Sequence, residues 1–244
     1  MRFLEWDGCP NVRDLGGLKT PASPTGHTQF GRAARGPRRE LLTASGWASA
    51  KAWGLKSVVD LRCAHEVGSR ENDPDVAPTA WDGVVITNAP TEDQDDPEFR
   101  RTCFPILDSP EYWEHNWRIL PHLVRHTMET IADSGPGTLI HCAAGRDRTG
   151  MISALLLGNA GVRPQDVAED YAESVRTMAG TAHHASLENR QSRWTDQEVR
   201  LWLKDKLPIV EDTAASAPAT LTRLGLSARV RTSLRELLTA PPAA

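Results

Sequence analysis

Three features of the chain predict an α/β fold: a central, mostly parallel sheet flanked by helices, with additional helices toward the C-terminal end. Residues 138–150, TLIHCAAGRDRTG, pass from a short apolar strand through a glycine-containing loop into a helix. Strand text alternates with helix text as far as residue 160, and helix text alone follows. The 244 residues suffice to bury a full core in one α/β domain with a helical annex.

The remaining elements follow in order. Asn11-Val12-Arg13-Asp14-Leu15-Gly16-Gly17 reads as a turn in which Asn11 and Asp14 bond their own backbone. Residues 18–40 hold Pro21, Pro24, Gly26, Gly31, Gly36 and Pro37 and read as loop. Of its arginines, Arg32, Arg35, Arg38 and Arg39, most are expected in solvent, with one or two flanking an anionic site. A helix starts near Thr43 or Ser45, with Leu42, Trp47, Ala50 and Trp53 on one face and Gly54 as its stop. Residues 55–61, LKSVVDL, form a buried strand whose polar end, Asp60 with Arg62 beyond, should reach the functional edge of the sheet. Val84, Val85 and Ile86 suggest another strand.

Residues 91–108 read as an acidic, solvated loop. Ser109 caps and Pro110 opens a helix that Pro121 interrupts or kinks, and Leu123, Val124, Met128 and Ile131 carry its apolar stripe. After the 138–150 segment, Gly161 ends one helix and Pro164 opens another with Val167, Tyr171 and Val175 on its apolar face. Residues 179–194 look irregular. Thr195 and Glu198 make a capping box. The small-residue run 214–219 reads as a linker or a weak helix start, and Gly225 and Ser227 divide two short C-terminal helices.

Composition narrows the function. A net charge of −4 leaves no footprint for nucleic acid or an anionic membrane. The longest unbroken apolar run, 154–157, is far too short to span a bilayer, and acids sit where a signal peptide needs an apolar stretch. Cys9, Cys63, Cys103 and Cys142 are scattered without a CxxC pair, so neither a zinc site nor a disulfide framework is suggested. A cytoplasmic location is the plain expectation. No cofactor, metal or integral membrane contact is implied.

The chemistry gathers at Cys142. A strand that breaks into a Gly-containing loop at a helix N-terminus is an anion cradle, because backbone N–H groups converge there and the helix dipole favours negative charge. Cys142 at its mouth would be held as thiolate by those same groups, and Arg148 can grip two oxygens of a phosphate at once. Gly145 permits close backbone approach, Thr149 can donate its hydroxyl to the sulfur, and His141 is expected to order the loop rather than act as base. The alternative is a buried structural cysteine at a strand end.

HCAAGRDRTG resembles the signature loop of the cysteine-dependent protein tyrosine phosphatase superfamily, and most closely its bacterial tyrosine and phosphoinositide phosphatases, whose loop reads HCxAGKDRTG. NVRDLGG at 11–17, VVDLR at 58–62 followed by Glu66, and LLLGNAGV followed by EDYAES at 169–174 are similar to that branch's other segments and appear in the same order. The resemblance covers most of residues 8–175; the last seventy residues match loosely. It implies a tyrosine-phosphatase-like fold and a single domain over 1–244, with a core at about 8–178 and a helical extension at about 179–244. It also implies attack of Cys142 on phosphorus, with Arg148 and the loop residues Ala143, Ala144, Gly145, Arg146 and Thr149 holding the phosphate. His141, Asn11, Arg13, Asp14, Asp60 and Arg62 would support that loop from behind.

The resemblance also implies an acid for the leaving group: an Asp inside the loop in that branch, here Asp147, or in other relatives an upstream Asp, for which Asp93, Asp95, Asp96 and Asp108 are the candidates. The rigidity of the loop favours Asp147. Where the branch has Lys, this chain has Arg146, and positive charge at the loop rim leaves phosphoinositides open beside phosphorylated proteins. Cys63, on the strand expected beside that of Cys142, suggests a protective disulfide under peroxide, against the plainer reading of a small buried residue. His183 and His184 sit in a segment that could form a lid, though surface positions suit them better. The competing functions are a small-metabolite phosphatase of the same fold, a non-catalytic phospho-residue binding module, and a sulfur transferase. Binding alone needs no thiolate, and the Asp147-Arg148-Thr149 run disfavours sulfur transfer.

Overall fold

The computed structural model describes residues 2–179 and 194–241. A five-stranded sheet forms the centre: β1 (Arg13–Asp14), β2 (Ala33–Gly36), β3 (Ser57–Asp60), β4 (Val85–Asn88) and β5 (Thr138–His141). The spatial order is β1-β2-β5-β3-β4, with β1 antiparallel and every other neighbouring pair parallel. The strand leading into Cys142 is therefore the middle one. Its register places His141 opposite Gly36 on one side and Asp60 on the other, so three strand ends meet beneath the loop.

Period-two alternation sorts the strands between two cores. Ala34, Val58 and Leu139 face a cluster with Trp6, Trp47, Ala50 and Leu55, built around α1 (Ala44–Trp53). Ala33, Val59 and Ile140 face the larger cluster, which draws on α2 (Pro97–Cys103), α3 (Tyr112–Ile119), α4 (Pro121–Ser134), α5 (Asp147–Asn159), α6 (Pro164–Met178), α7 (Asp196–Arg223) and α8 (Ala228–Thr239). Residues 149–158 of α5 are all buried, since the helix has the sheet on one side and α6, α7 and α8 around the rest. At Gly158 the fit is closest: a Cβ there would lie 2.2 Å from the carbonyl oxygen of Ala214.

Most elements lie where the sequence places them. Thr43 caps α1 through Gly46, Gly54 ends it in the left-handed conformation, and Thr195 and Glu198 cap α7 reciprocally. Four readings are corrected. Residues 18–40 contain β2, a fully buried strand, rather than loop throughout; of their four arginines Arg35 and Arg38 are buried and Arg32 and Arg39 half-buried, so most are not in open solvent. The 91–108 segment folds in part into α2, because Asp96 accepts from the Phe99 N–H and Pro97 occupies the first turn. The helix expected to open at Pro110 begins at Tyr112, while Pro121 interrupts it, as one of the two expectations had it, and starts α4. Residues 214–219 lie inside α7, whose 28 residues run through Pro208 and Pro218; packing on α5 and α6 overrides their weak propensity. His183 and His184 lie outside the described residues.

Candidate active site

The loop between β5 and α5 is held by its carbonyl oxygens. The Arg38 N–H donates to the Ala143 carbonyl at 3.0 Å, and Asn11 Nδ2 donates to those of Ala144 and Gly145 at 3.1 and 3.4 Å. Arg35 Nη2 donates to the Gly145 and Arg146 carbonyls at 2.8 and 3.4 Å. In a trans peptide the N–H points opposite the C=O. Anchoring these carbonyls outward therefore turns the N–H groups of residues 144–147 toward the loop's interior, where the N-terminus of α5 adds its own positive end. Gly145 has a φ of 73°, and a Cβ on it would lie 2.4 Å from the Gly36 carbonyl carbon. Here the loop touches the end of β2 too closely for any side chain.

Behind the loop stands a buried charge cluster. Asp170 of α6 accepts from Arg13 Nε at 2.9 Å and Arg35 Nη1 at 2.6 Å, and it also pairs with Arg2. Burial alone would raise the Asp170 carboxyl, but Arg13, Arg35 and Arg2 outweigh it and hold the group far below the usual carboxylate range. Arg13 also donates to the Asn11 Oδ1 at 2.6 Å and fixes the amide that holds the loop. Burial and Arg13 pull the Arg35 guanidinium down to about 10, so it stays charged at neutral pH and lies within electrostatic reach of Cys142. The surplus of positive charge favours an anion in the cradle. Asp14 accepts from the Gly16 N–H, as a turn aspartate does, and from Gly31 and Trp53 as well.

A second cluster supports the other flank. Asp60 accepts from Arg62 Nε at 2.9 Å and Nη2 at 2.6 Å, and Arg62 reaches Glu40 at 2.8 Å. His141 Nδ1 lies 3.1 Å from the Cys142 carbonyl, and its Nε2 is 3.8 Å from Asp60. Burial lowers the His141 pKa against the pull of Asp60, which suits an ordering role.

Cys142 lies at the floor of the loop, 3 % exposed and with a free thiol. Arg148, in the first turn of α5, turns its Nη1 and Nη2 to the two carboxylate oxygens of Glu66, the Nη2 bond measuring 2.8 Å. Two of its five donors are thereby spent and the rest stay available. Asp147 is 19 % exposed, accepts from Arg146 Nε at 3.0 Å through both oxygens, and receives the Tyr171 hydroxyl at 3.3 Å. Tyr171 packs edge-on against Trp113 and stacks on Trp202, which links Asp147 to α3 and α7.

Two expectations for the loop are corrected. Arg146 is only 5 % exposed and folds onto Asp147, so it is no free charge at the rim. The Thr149 hydroxyl is buried without a hydrogen-bond partner and does not donate to the sulfur. Cys63 is a free thiol that donates to the Glu92 carbonyl at 3.3 Å, and burial pushes it up to about 12. Asp108 lies close enough to Arg146 to favour its charged form. Sequence reasoning assigned no role to Asp170, Glu92 or the Tyr171 hydroxyl, and named Arg35 only among four arginines of which one or two would flank an anionic site. Asp170 carried a signal: it shares a helical face with Val167, Tyr171 and Ser174, and all four are buried.

The arrangement is a loop with outward-anchored carbonyls, a buried free thiol at its floor, an arginine fork on its wall and an aspartate carboxyl group at its edge. The profile of the tyrosine phosphatase family matches residues 4–240, and the chain belongs to that family. It is 28 % identical over 203 residues to the triple specificity protein phosphatase PtpB of Mycobacterium tuberculosis, covering 71 % of this chain and 70 % of that protein. It is 31 % identical over 131 residues to a tyrosine-protein phosphatase of Nostoc commune, covering 53 % of this chain and 43 % of that one. The crystal structure of P. aeruginosa TpbA superposes with a TM-score of 0.38 at 13 % identity, covering 80 % of this chain and 86 % of that one. The protein is a phosphoric monoester hydrolase of the protein tyrosine phosphatase kind. Among the described residues no helix is long and apolar enough to cross a membrane, and no group of three His, Cys, Asp or Glu is arranged to hold a metal.

Proposed function

We propose that the chain is a cysteine-dependent phosphatase acting on phosphotyrosine in proteins through a cysteinyl-phosphate intermediate. The observation that carries this reading is the outward anchoring of the loop carbonyls around Cys142. It leaves preorganised N–H donors where charge develops on the equatorial phosphoryl oxygens. The Cys142 thiolate attacks phosphorus in line. The Sγ–P bond forms as the bond to the tyrosine oxygen breaks, and Asp147 passes its proton to that oxygen. Water then attacks the phosphocysteine, returns a proton to Asp147 and releases the thiolate with inorganic phosphate. Arg148, with three donors beyond those given to Glu66, grips the oxygens more tightly as charge spreads over them.

Asp147 is preferred as acid because it is part-exposed at the loop, and the Tyr171 hydroxyl aims it. D147N should lower turnover on phenyl phosphates and phosphopeptides by roughly 10²–10⁴-fold. Full activity in D147N with loss in D108N would transfer the role. The whole chain, extension included, is proposed to work as one phosphatase domain, because α7 and α8 share the core of α5. Its free thiols suit a reducing cytoplasm.

PtpB is named for triple specificity, which keeps phosphoserine, phosphothreonine and phosphoinositides in the substrate panel; the burial of Arg146 argues against phosphoinositides. The panel pairs phosphopeptides with phosphoinositides, nucleotides and sugar phosphates. Activity highest on phosphotyrosine peptides is expected. A preference for nucleotides or sugar phosphates would make this a metabolite phosphatase, and silence on every phosphoester would overturn the reading.

A further inference from the structure

Arg148 has a second carboxylate beside it. Glu92, in the loop after β4, brings Oε2 to 3.6 Å from Arg148 Nη1, although Glu66 already takes a fork from the same guanidinium. Glu92 is 4 % exposed, and the reaction scheme gives it nothing to do. The groups around it come from several elements. Arg148 belongs to α5, Tyr112 to α3 and Cys103 to α2, while Glu66 and Cys63 follow β3 and Gln94 lies on the same loop. Of these, only Arg148, Gln94 Nε2 at 3.4 Å and the Tyr112 hydroxyl favour an ionised Glu92. That hydroxyl is buried without a geometrically sound hydrogen bond, so its help is small. Burial pushes the Glu92 carboxyl up, and the Glu66 charge adds to the push.

The charge balance then decides. One guanidinium facing two carboxylates is neutralised to excess, and a thiolate and a phosphate dianion must still share the same cation during turnover. Each added negative charge near a buried carboxylate favours its protonated form. Glu66 is secured by two charge-assisted bonds to Arg148 and by the Cys63 N–H at 3.0 Å. Glu92 has no such hold. It is the member of the cluster that can take the proton.

We propose that Glu92 is a positioning residue for Arg148 and that anion binding in the cradle is coupled to protonation of its carboxyl. Neutral, Glu92 leaves the free donors of Arg148 to the phosphate and can pair with the Tyr112 hydroxyl. Ionised, it competes for the guanidinium and weakens the grip. The proposal rests on the phosphatase reading of the same site, so its test reads binding without turnover. Inorganic sulfate stays a dianion from pH 5 to 8 and serves as the probe. Calorimetric titration of the full chain should show sulfate affinity falling as pH rises more steeply in the wild type than in E92Q. The difference should reach roughly tenfold across the range, the equivalent of one pKa unit. Infrared difference spectra of wild-type protein carrying ¹³C-labelled glutamate should also gain a protonated-carboxyl band on sulfate addition, a readout that does not depend on E92Q folding. Parallel pH profiles, or no such band, would overturn the proposal. Failure of both proteins to bind sulfate at any pH would overturn the anion cradle along with it, whereas sulfate binding without phosphoester hydrolysis would count against the enzyme reading alone.

Discussion

Asp170 is buried among three guanidiniums, and two of them, on Arg13 and Arg35, lead directly to the loop, through Asn11 and through the Gly145 carbonyl. Removing one partner from such a cluster strands buried charge, so D170N should cost about 3–5 kcal/mol at pH 7, measured by chemical denaturation. The pH dependence has a definite sign. The folded-state pKa of Asp170 lies below its unfolded value, so its contribution is full above the ordinary carboxylate value near ~3.9 and declines as pH falls below it. The gap between wild type and D170N should narrow from pH 5 to pH 2; a constant gap would mean the charge is not what matters. Cys142, Arg148 and Asp147 were readable as a motif because their chemistry sits within seven consecutive residues. Asp170 was not read as their support, since its partners lie more than 130 residues away and nothing local marks that pairing.

At the scale of elements, the contact of β2 with the loop governs the cradle. G145A forces an L-residue to a φ of 73° and drives a Cβ into the Gly36 backbone. It should lose most of its phosphatase activity while keeping the thermal transition within a few degrees, because the clash is confined to one turn. An unchanged kcat/KM would show that the loop tolerates a shift of its backbone. G158A is the converse case. Its Cβ would strike the Ala214 backbone where α5 and α7 meet, which predicts a loss of about 1–3 kcal/mol by denaturant titration. Strand β5 and helix α5 were legible because apolar runs flank the glycine loop. Strand β2, Ala33-Ala34-Arg35-Gly36, was not. Two alanines, a glycine and an arginine show neither β-branching nor alternation, and the arginine is buried only because Asp170 neutralises it. Helix α7 was misread at 214–219 for a related reason: its small residues matter where Ala214 and Ala217 meet Gly158, a contact between distant segments.

For the molecule as a whole, the net charge of −4 says little about the site. Arg38, Arg62 and Arg148 near the loop are each paired with carboxylates, whereas Arg2, Arg13 and Arg35 share the single Asp170, and that local surplus of positive charge favours a dianion within an otherwise acidic protein. The fold class and the strand leading into Cys142 followed from the order of strand and helix text; the packing of α7 and α8 onto α5 came from the structure alone. The central claim is that Cys142 carries the phosphoryl group. Its most direct measurement is rapid acid quenching of the protein with a ³²P-labelled phosphotyrosine peptide, followed by mapping of the label, with C142S in parallel. The account predicts phosphate on Cys142 in the wild type, none in C142S, and turnover reduced at least about a thousandfold by that substitution. Label on another residue, or a C142S protein that still hydrolyses the peptide at the wild-type rate, would contradict it.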